Sequence, residues 1–238
     1  MLKLQNVTVT YPDKTRAINN VSFTLNNGES VALIGANGAG KTSLLLAVAG
    51  ILDLMGGTIE VDGLPLNKKT VGEIRKRVGF VFQNPDDQLF MPFIFDNVAF
   101  GCRNLGFSEE KVKERAEETL QKLNILHLCD RSSLKLSGGE KRLCAIATVL
   151  AMEPSILMFD EPTAFLDPKS RRSLIETFKS FDKNQTKIIA THDIAFAAEV
   201  CDRVILIKDG CLTADGSTDL LYCEDIMQDN DLEKIQFL

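Results

Sequence analysis

The sequence predicts an α/β fold, a parallel sheet with helices on both faces, carrying a helical subdomain inserted at residues 84–152. Two observations predict it. Short apolar runs of the buried-strand type, at residues 30–34, 156–159 and 187–191, alternate with segments of helical spacing. Between them the middle of the chain changes character, with apolar residues recurring every three or four positions among many charges.

Taken in order, Leu2, Leu4, Val7 and Val9 alternate as a strand does, and Val21, Phe23 and Leu25 repeat the pattern. The Asn26-Asn27-Gly28 turn leads into the run 30–34. A glycine-rich stretch follows, then a helix from Lys41 to about Leu52; residues 58–63 and 78–82 read as further strands. From Ser108 to about Asn124 the residues Val112, Ala116, Leu120 and Leu123 mark an amphipathic helix with Ser108 as its N-cap. Another helix begins near Ser137 and is expected to stop at Glu153, because Pro154 disfavours helical geometry before it. Residues 204–208, the Asp209-Gly210 turn and residues 211–214 read as a hairpin. No motif is legible after about Ser217, and there is no internal repeat or low-complexity linker.

At 238 residues, 45% hydrophobic and 25% charged, the chain suits one large globular domain. Its longest apolar stretches are about half the ~20 residues needed to cross a bilayer, and its start carries no export signal. A net charge of −6 argues against a nucleic-acid partner. The six cysteines form no C-x-x-C pair, so no structural zinc site is expected and a reduced compartment fits.

Gly35-Ala36-Asn37-Gly38-Ala39-Gly40-Lys41-Thr42 matches G-x-x-x-x-G-K-[ST] between a strand and a helix. Its glycines let successive N–H groups point inward at phosphate oxygens, and the following helix adds its positive end. Lys41 can reach the β- and γ-phosphates, and the Thr42 hydroxyl can ligate Mg²⁺. The run 156–159 ends in Asp160-Glu161, two acids delivered to the carboxyl end of a buried strand, where ligands bind in such sheets. Asp160 suits Mg²⁺, and Glu161 suits polarisation of an attacking water. Leu136-Ser137-Gly138-Gly139-Glu140 is a second phosphate-binding helix start, with Ser137 as cap and two glycines exposing N–H groups.

With these motifs the chain resembles the ABC ATPase family over nearly its whole length. The resemblance implies one nucleotide-binding domain over residues 1–238: a P-loop NTPase core, an N-terminal antiparallel β subdomain and the helical signature subdomain at 84–152. Leu136 to Glu140 is similar to the signature LSGGQ, with Glu140 where glutamine is commonest. The resemblance makes Gln83 a Mg²⁺ ligand that reports to a membrane partner, His192 the switch histidine at the γ-phosphate, and Tyr11 the ring on adenine. It puts Ser43 beside the phosphate loop in ATP binding and gives a dimer-interface role to Asp167 in Ala164-Phe165-Leu166-Asp167, where Phe165 replaces a usually small residue. It also implies a head-to-tail pair of identical or homologous ATPases, the signature of one completing the phosphate loop of the other, so that a monomer binds ATP but turns it over poorly.

Residues 80–90, with 96–101 and 137–142, resemble the energy-coupling-factor (ECF) importers of the cobalt/nickel or biotin type. That implies a peripheral subunit on the cytoplasmic face of the membrane, a transmembrane coupling protein docking near Asp86, Asp87, Leu89 and Phe90, and a membrane substrate-binding component. A soluble ABC ATPase, as in Fe–S cluster assembly, and a P-loop kinase are the alternatives. A kinase has no need of the signature or the switch histidine.

Overall fold

This computed structural model describes residues 1–235. Its strands are β1 (Leu2–Thr10), β2 (Arg16–Leu25), β3 (Ser30–Ile34), β4 (Gly56–Val61), β5 (Leu64–Pro65), β6 (Val78–Val81), β7 (Ile156–Asp160), β8 (Thr186–Thr191), β9 (Arg203–Lys208) and β10 (Cys211–Ser217). Its α-helices are α1 (Lys41–Val48), α2 (Val71–Arg77), α3 (Ile94–Asn104), α4 (Glu109–Lys122), α5 (Gly138–Leu150), α6 (Pro168–Lys179), α7 (Ile194–Val200) and α8 (Glu224–Asp229). Strands β2-β1-β4-β5 form an antiparallel sheet. The second sheet runs β10-β9-β3-β8-β7-β6, parallel throughout except for the β9–β10 hairpin at its edge.

The apolar runs are strands buried on both faces, and side-chain alternation divides them between two cores. Val31, Leu33, Ile156, Met158, Ile188 and Ile205 face the antiparallel sheet, while Ala32, Ile34, Leu157, Phe159, Ile189 and Val204 face the helices between β6 and β7. Helix α1 lies in the first core and is buried nearly all round, through Leu44, Leu45, Ala47 and Val48, because it packs between the two sheets. In the second core α3, α4 and α5 pack together through residues such as Val98, Val112, Ala116, Leu120 and Ala145.

Two helix ends fall earlier than the spacing predicts. Helix α1 stops at Val48 rather than Leu52: Gly50, at φ +65°, donates to Ala47 and Ile51 to Leu46, a left-handed glycine termination. Helix α5 stops at Leu150, and the reversal before Pro154 is completed by Glu153 at φ +50°. The Asp209-Gly210 turn has positive φ at both residues, 50° and 74°, as a type I′ hairpin requires. Among the described residues beyond Ser217, Leu221 and Met227 are fully buried, and Lys208 is paired to Asp231 at 2.7 Å.

Candidate active site

The loop 35–40 leaves β3 and enters α1, and its glycines are there for space. A Cβ on Gly35 would stand 2.2 Å from the Ile207 carbonyl oxygen, and one on Gly40 (φ +104°) 2.3 Å from that of Ala17. The loop therefore curls tightly between β9–β10 and β2. Lys41 is buried, and its Nζ turns back to donate to the carbonyl oxygens of Gly35 (2.7 Å) and Ala36 (3.1 Å). The same ammonium lies 3.5 Å from Glu161 Oε1. The Tyr11 hydroxyl meets Ser43 Oγ at 2.9 Å, which fixes the ring beside the loop.

The two acids at the end of β7 are held differently. The Thr42 hydroxyl reaches both Asp160 oxygens at 2.9 Å. Burial pushes the Asp160 carboxyl above its ordinary 3.8, with Glu161 adding to the effect and Thr42, Lys41 and Arg142 pulling against it. Glu161 is buried at φ +43°, a left-handed conformation rare outside glycine and asparagine. Its Oε2 takes the Thr191 hydroxyl (3.1 Å), the His192 amide (3.2 Å) and His192 Nδ1 (2.9 Å). In the tautomer with its hydrogen on Nδ1, the His192 ring donates to this carboxylate and keeps Nε2 as an acceptor. Behind this pair, Asp193 is gripped by Arg171 at 2.7 and 2.9 Å and caps α7 through the Phe196 amide.

Tyr11, Asn37, Gly38, Ala39, Gly40, Lys41, Thr42, Ser43, Gln83, Glu161 and His192 together line a cavity of about 860 Å³, with Gly35 and Asp160 just behind its wall. A curled ring of amides with a buried ammonium fits a polyphosphate. Among the described residues no three His, Cys, Asp or Glu side chains converge as a metal cage. Thr42 and Asp160 offer hard oxygen donors, which suits Mg²⁺ sharing its coordination with phosphate and water.

The other motif residues lie elsewhere on the chain. Ser137, Gly139, Glu140 and Asp167 line a separate cleft of about 240 Å³, and Gly138 opens α5 at its edge. Ser137 and Glu140 form a complete capping box; the Ser137 amide and hydroxyl hold the Glu140 carboxyl below its ordinary 4.5. Asp167 caps α6 through the Lys169 and Ser170 amides. Phe165 is 90% exposed at φ +63° and reaches the rim of the larger cavity.

The docking expectation needs correction at Leu89, whereas Asp86 stays half exposed. Leu89 is buried, because it packs into the helical core, and it cannot offer a contact surface. Asp86 is already paired with Lys141 at 2.6 Å. The exposed aromatic residues of this segment are Phe90, Phe93 and Phe100, and Phe90 and Phe100 meet edge-on at 5.0 Å. Sequence reasoning also missed Arg142, a fully buried guanidinium donating to the Phe82 (2.8 Å) and Gln83 (2.6 Å) carbonyl oxygens. Its only sequence signal is a place next to the signature.

The family description "ABC transporter" matches residues 18–164. A Geobacter sulfurreducens protein named as an ABC transporter ATP-binding protein is 46% identical over 90% of this chain and 86% of its own length. The "Energy-coupling factor transporter ATP-binding protein EcfA" of Methanosphaera stadtmanae is 39% identical over 98% and 83%. Among solved structures, cbiO1 from Clostridium perfringens, described as part of the ABC transporter complex cbiONQ, superimposes with TM-score 0.83 at 36% identity, covering 94% of this chain and 91% of that one. The ATP-binding cassette MJ0796, dimeric and bound to ADP and Pi, gives 0.81 at 29% identity, covering 92% and 99%. A phosphate loop facing a strand-end acid pair, on this sheet and with these relatives, makes the chain an ATP-binding, ATP-hydrolysing member of the ABC transporter family.

Proposed function

We propose that this ATPase drives an ECF-type importer, working at the cytoplasmic face of the membrane in a head-to-tail pair with an identical or homologous subunit, for uptake of a transition-metal ion (cobalt or nickel) or a vitamin such as biotin. In this reading the 35–40 amides and Lys41 hold the phosphates, Tyr11 the base, and Ser43 the loop. Thr42, Asp160 and Gln83 would hold Mg²⁺, which would offset the phosphate charge. Glu161 accepts a proton from the attacking water, and His192, oriented by that same carboxylate, faces the γ-phosphate. Ser137, Gly138, Gly139, Glu140 and Asp167 serve the nucleotide held by the partner, which accounts for their standing apart from Lys41. Domain limits of 1–238 for the ATPase and 84–152 for the helical subdomain belong to the same reading. The relatives named for energy-coupling factors and for cbiONQ support it, and no helix among the described residues is long and apolar enough to cross a membrane.

The observation that carries the membrane partner is a largely apolar groove of about 420 Å³ beside Gln83, walled by Phe80, Phe82, Phe90, Phe100, Val149 and Met152. Exposed aromatics around a formed groove suit an apolar helix end of a coupling protein, with exposed Asp87, in the turn three residues before Phe90, open to a basic residue. Phe90→Asp combined with Phe100→Asp should abolish co-purification with membrane proteins and leave ATP binding intact. Unchanged co-purification would remove the groove as the docking site.

A further inference from the structure

Arg142 is an expensive residue to bury. Its side chain is 1% exposed, and among the described residues its Nε has no partner and no carboxylate stands at ion-pair distance. A guanidinium in such a place needs its remaining hydrogen bonds. Both go to consecutive main-chain carbonyls, those of Phe82 and Gln83, just where the chain leaves β6 for the cavity. The planar fork of arginine can grip two successive carbonyls at once, which a lysine point charge cannot.

The grip has reinforcements. Gln88 accepts the Phe82 amide at 3.1 Å and donates to the Ala145 carbonyl (2.9 Å) and the Thr148 hydroxyl (2.7 Å) on α5. Asp86 pairs with Lys141, one residue before Arg142. Residues 82–88 are therefore fastened to α5, the helix that starts at Ser137, and not to the phosphate-loop side of the molecule. Only the Gln83 side chain crosses to the nucleotide cavity. On their other side the same residues wall the apolar groove through Phe82 and Gln88, with Thr148 of α5 beside them.

We propose that Arg142 is a positioning residue for ATP turnover: by clasping the Phe82 and Gln83 carbonyls it makes Gln83 part of the α5 body, so that the placement of α5 sets the placement of Gln83 in the nucleotide cavity. The proposal rests on the reading of that cavity as the hydrolytic site. A purely structural Arg142 would stabilise the fold without acting through Gln83, and a double-mutant cycle separates the two roles.

The experiment uses the full chain with MgATP and measures kcat, KM and melting temperature for R142M, R142K, Q83A and both double variants. Lysine keeps the charge and lacks the fork, so R142K reads the same effect should R142M fail to fold. Each single variant is expected to lower kcat by about tenfold, the size of effect a small misplacement of a catalytic group produces. In the Q83A background the Arg142 substitutions should add less than about twofold, with KM little changed. Losses that multiply to about 100-fold would overturn the proposal while leaving the hydrolytic site intact, as would Arg142 variants with parental kcat. A Q83A chain with full turnover would remove Gln83 from the site, and the proposal with it.

Discussion

Glu161 combines a left-handed backbone with a carboxylate that accepts three donors on one oxygen. A non-glycine residue held there stores on the order of 1–3 kcal/mol of strain, which the surrounding hydrogen bonds sustain. The geometry leaves Oε1 toward Lys41 and the cavity, at 3.5 Å from the ammonium. Glu161→Gln preserves the acceptor for Thr191 and the His192 amide and removes the proton acceptor. Turnover should therefore fall by about 10²–10⁴-fold with ATP binding retained. Steady-state hydrolysis and nucleotide titration check this; near-parental kcat in the variant would sink the catalytic assignment.

At the scale of elements, α6 and α7 are clamped together by Arg171 and Asp193, and Asp193 also caps α7 directly after His192. Burial works against the Asp193 charge, but hydrogen bonds from Arg171 and the Phe196 amide outweigh it and hold its pKa below 3.8. For a carboxyl depressed in the folded state, the stabilisation is complete above the unfolded value and is lost as pH falls through the folded one. Asp193→Asn should thus cost about 1–3 kcal/mol at pH 7, and the deficit should shrink below about pH 4. Urea melts of both proteins across pH 3–7 measure it, and a deficit independent of pH would exclude the charge as its source. The strands were legible because runs such as 30–34 and 156–160 are buried on both faces and admit few polar residues. The α4 and α5 starts were legible because Ser108 and Ser137 cap them. Helices α2, α3, α6, α7 and α8 went unread as elements: α2, α7 and α8 are only six or seven residues long, α3 starts after Phe93 without a side-chain cap, and α6 shows the core just Leu174, Ile175 and Phe178. At the site, the loop and acid motifs could be read because their chemistry is local in sequence. The burial of Arg142 could not, since its acceptors come from a segment 59 and 60 positions away. Leu89 misled for the converse reason: an apolar residue among exposed aromatics gives no sign of which way it points.

Across the whole molecule, the Ser137 cleft and the Lys41 cavity are separate sites on one chain. If each nucleotide is completed by a second subunit, Lys41→Ala and Ser137→Arg chains should each be inactive alone. Mixed in equal amounts, they should regain turnover toward about a quarter of the parental rate, because half the dimers are mixed and each of those has one undamaged site. A mixture as inactive as its components would show that no site is shared. Helix α1 gives such a pair its mechanics. Packed on opposite sides by two sheets, it has no direction in which to yield, and the loop it carries behaves as an anvil. On the proposed reading, the displacement that ATP produces is taken up across the cavity, by the body formed from α5 and the residues clasped to it, which is the hammer.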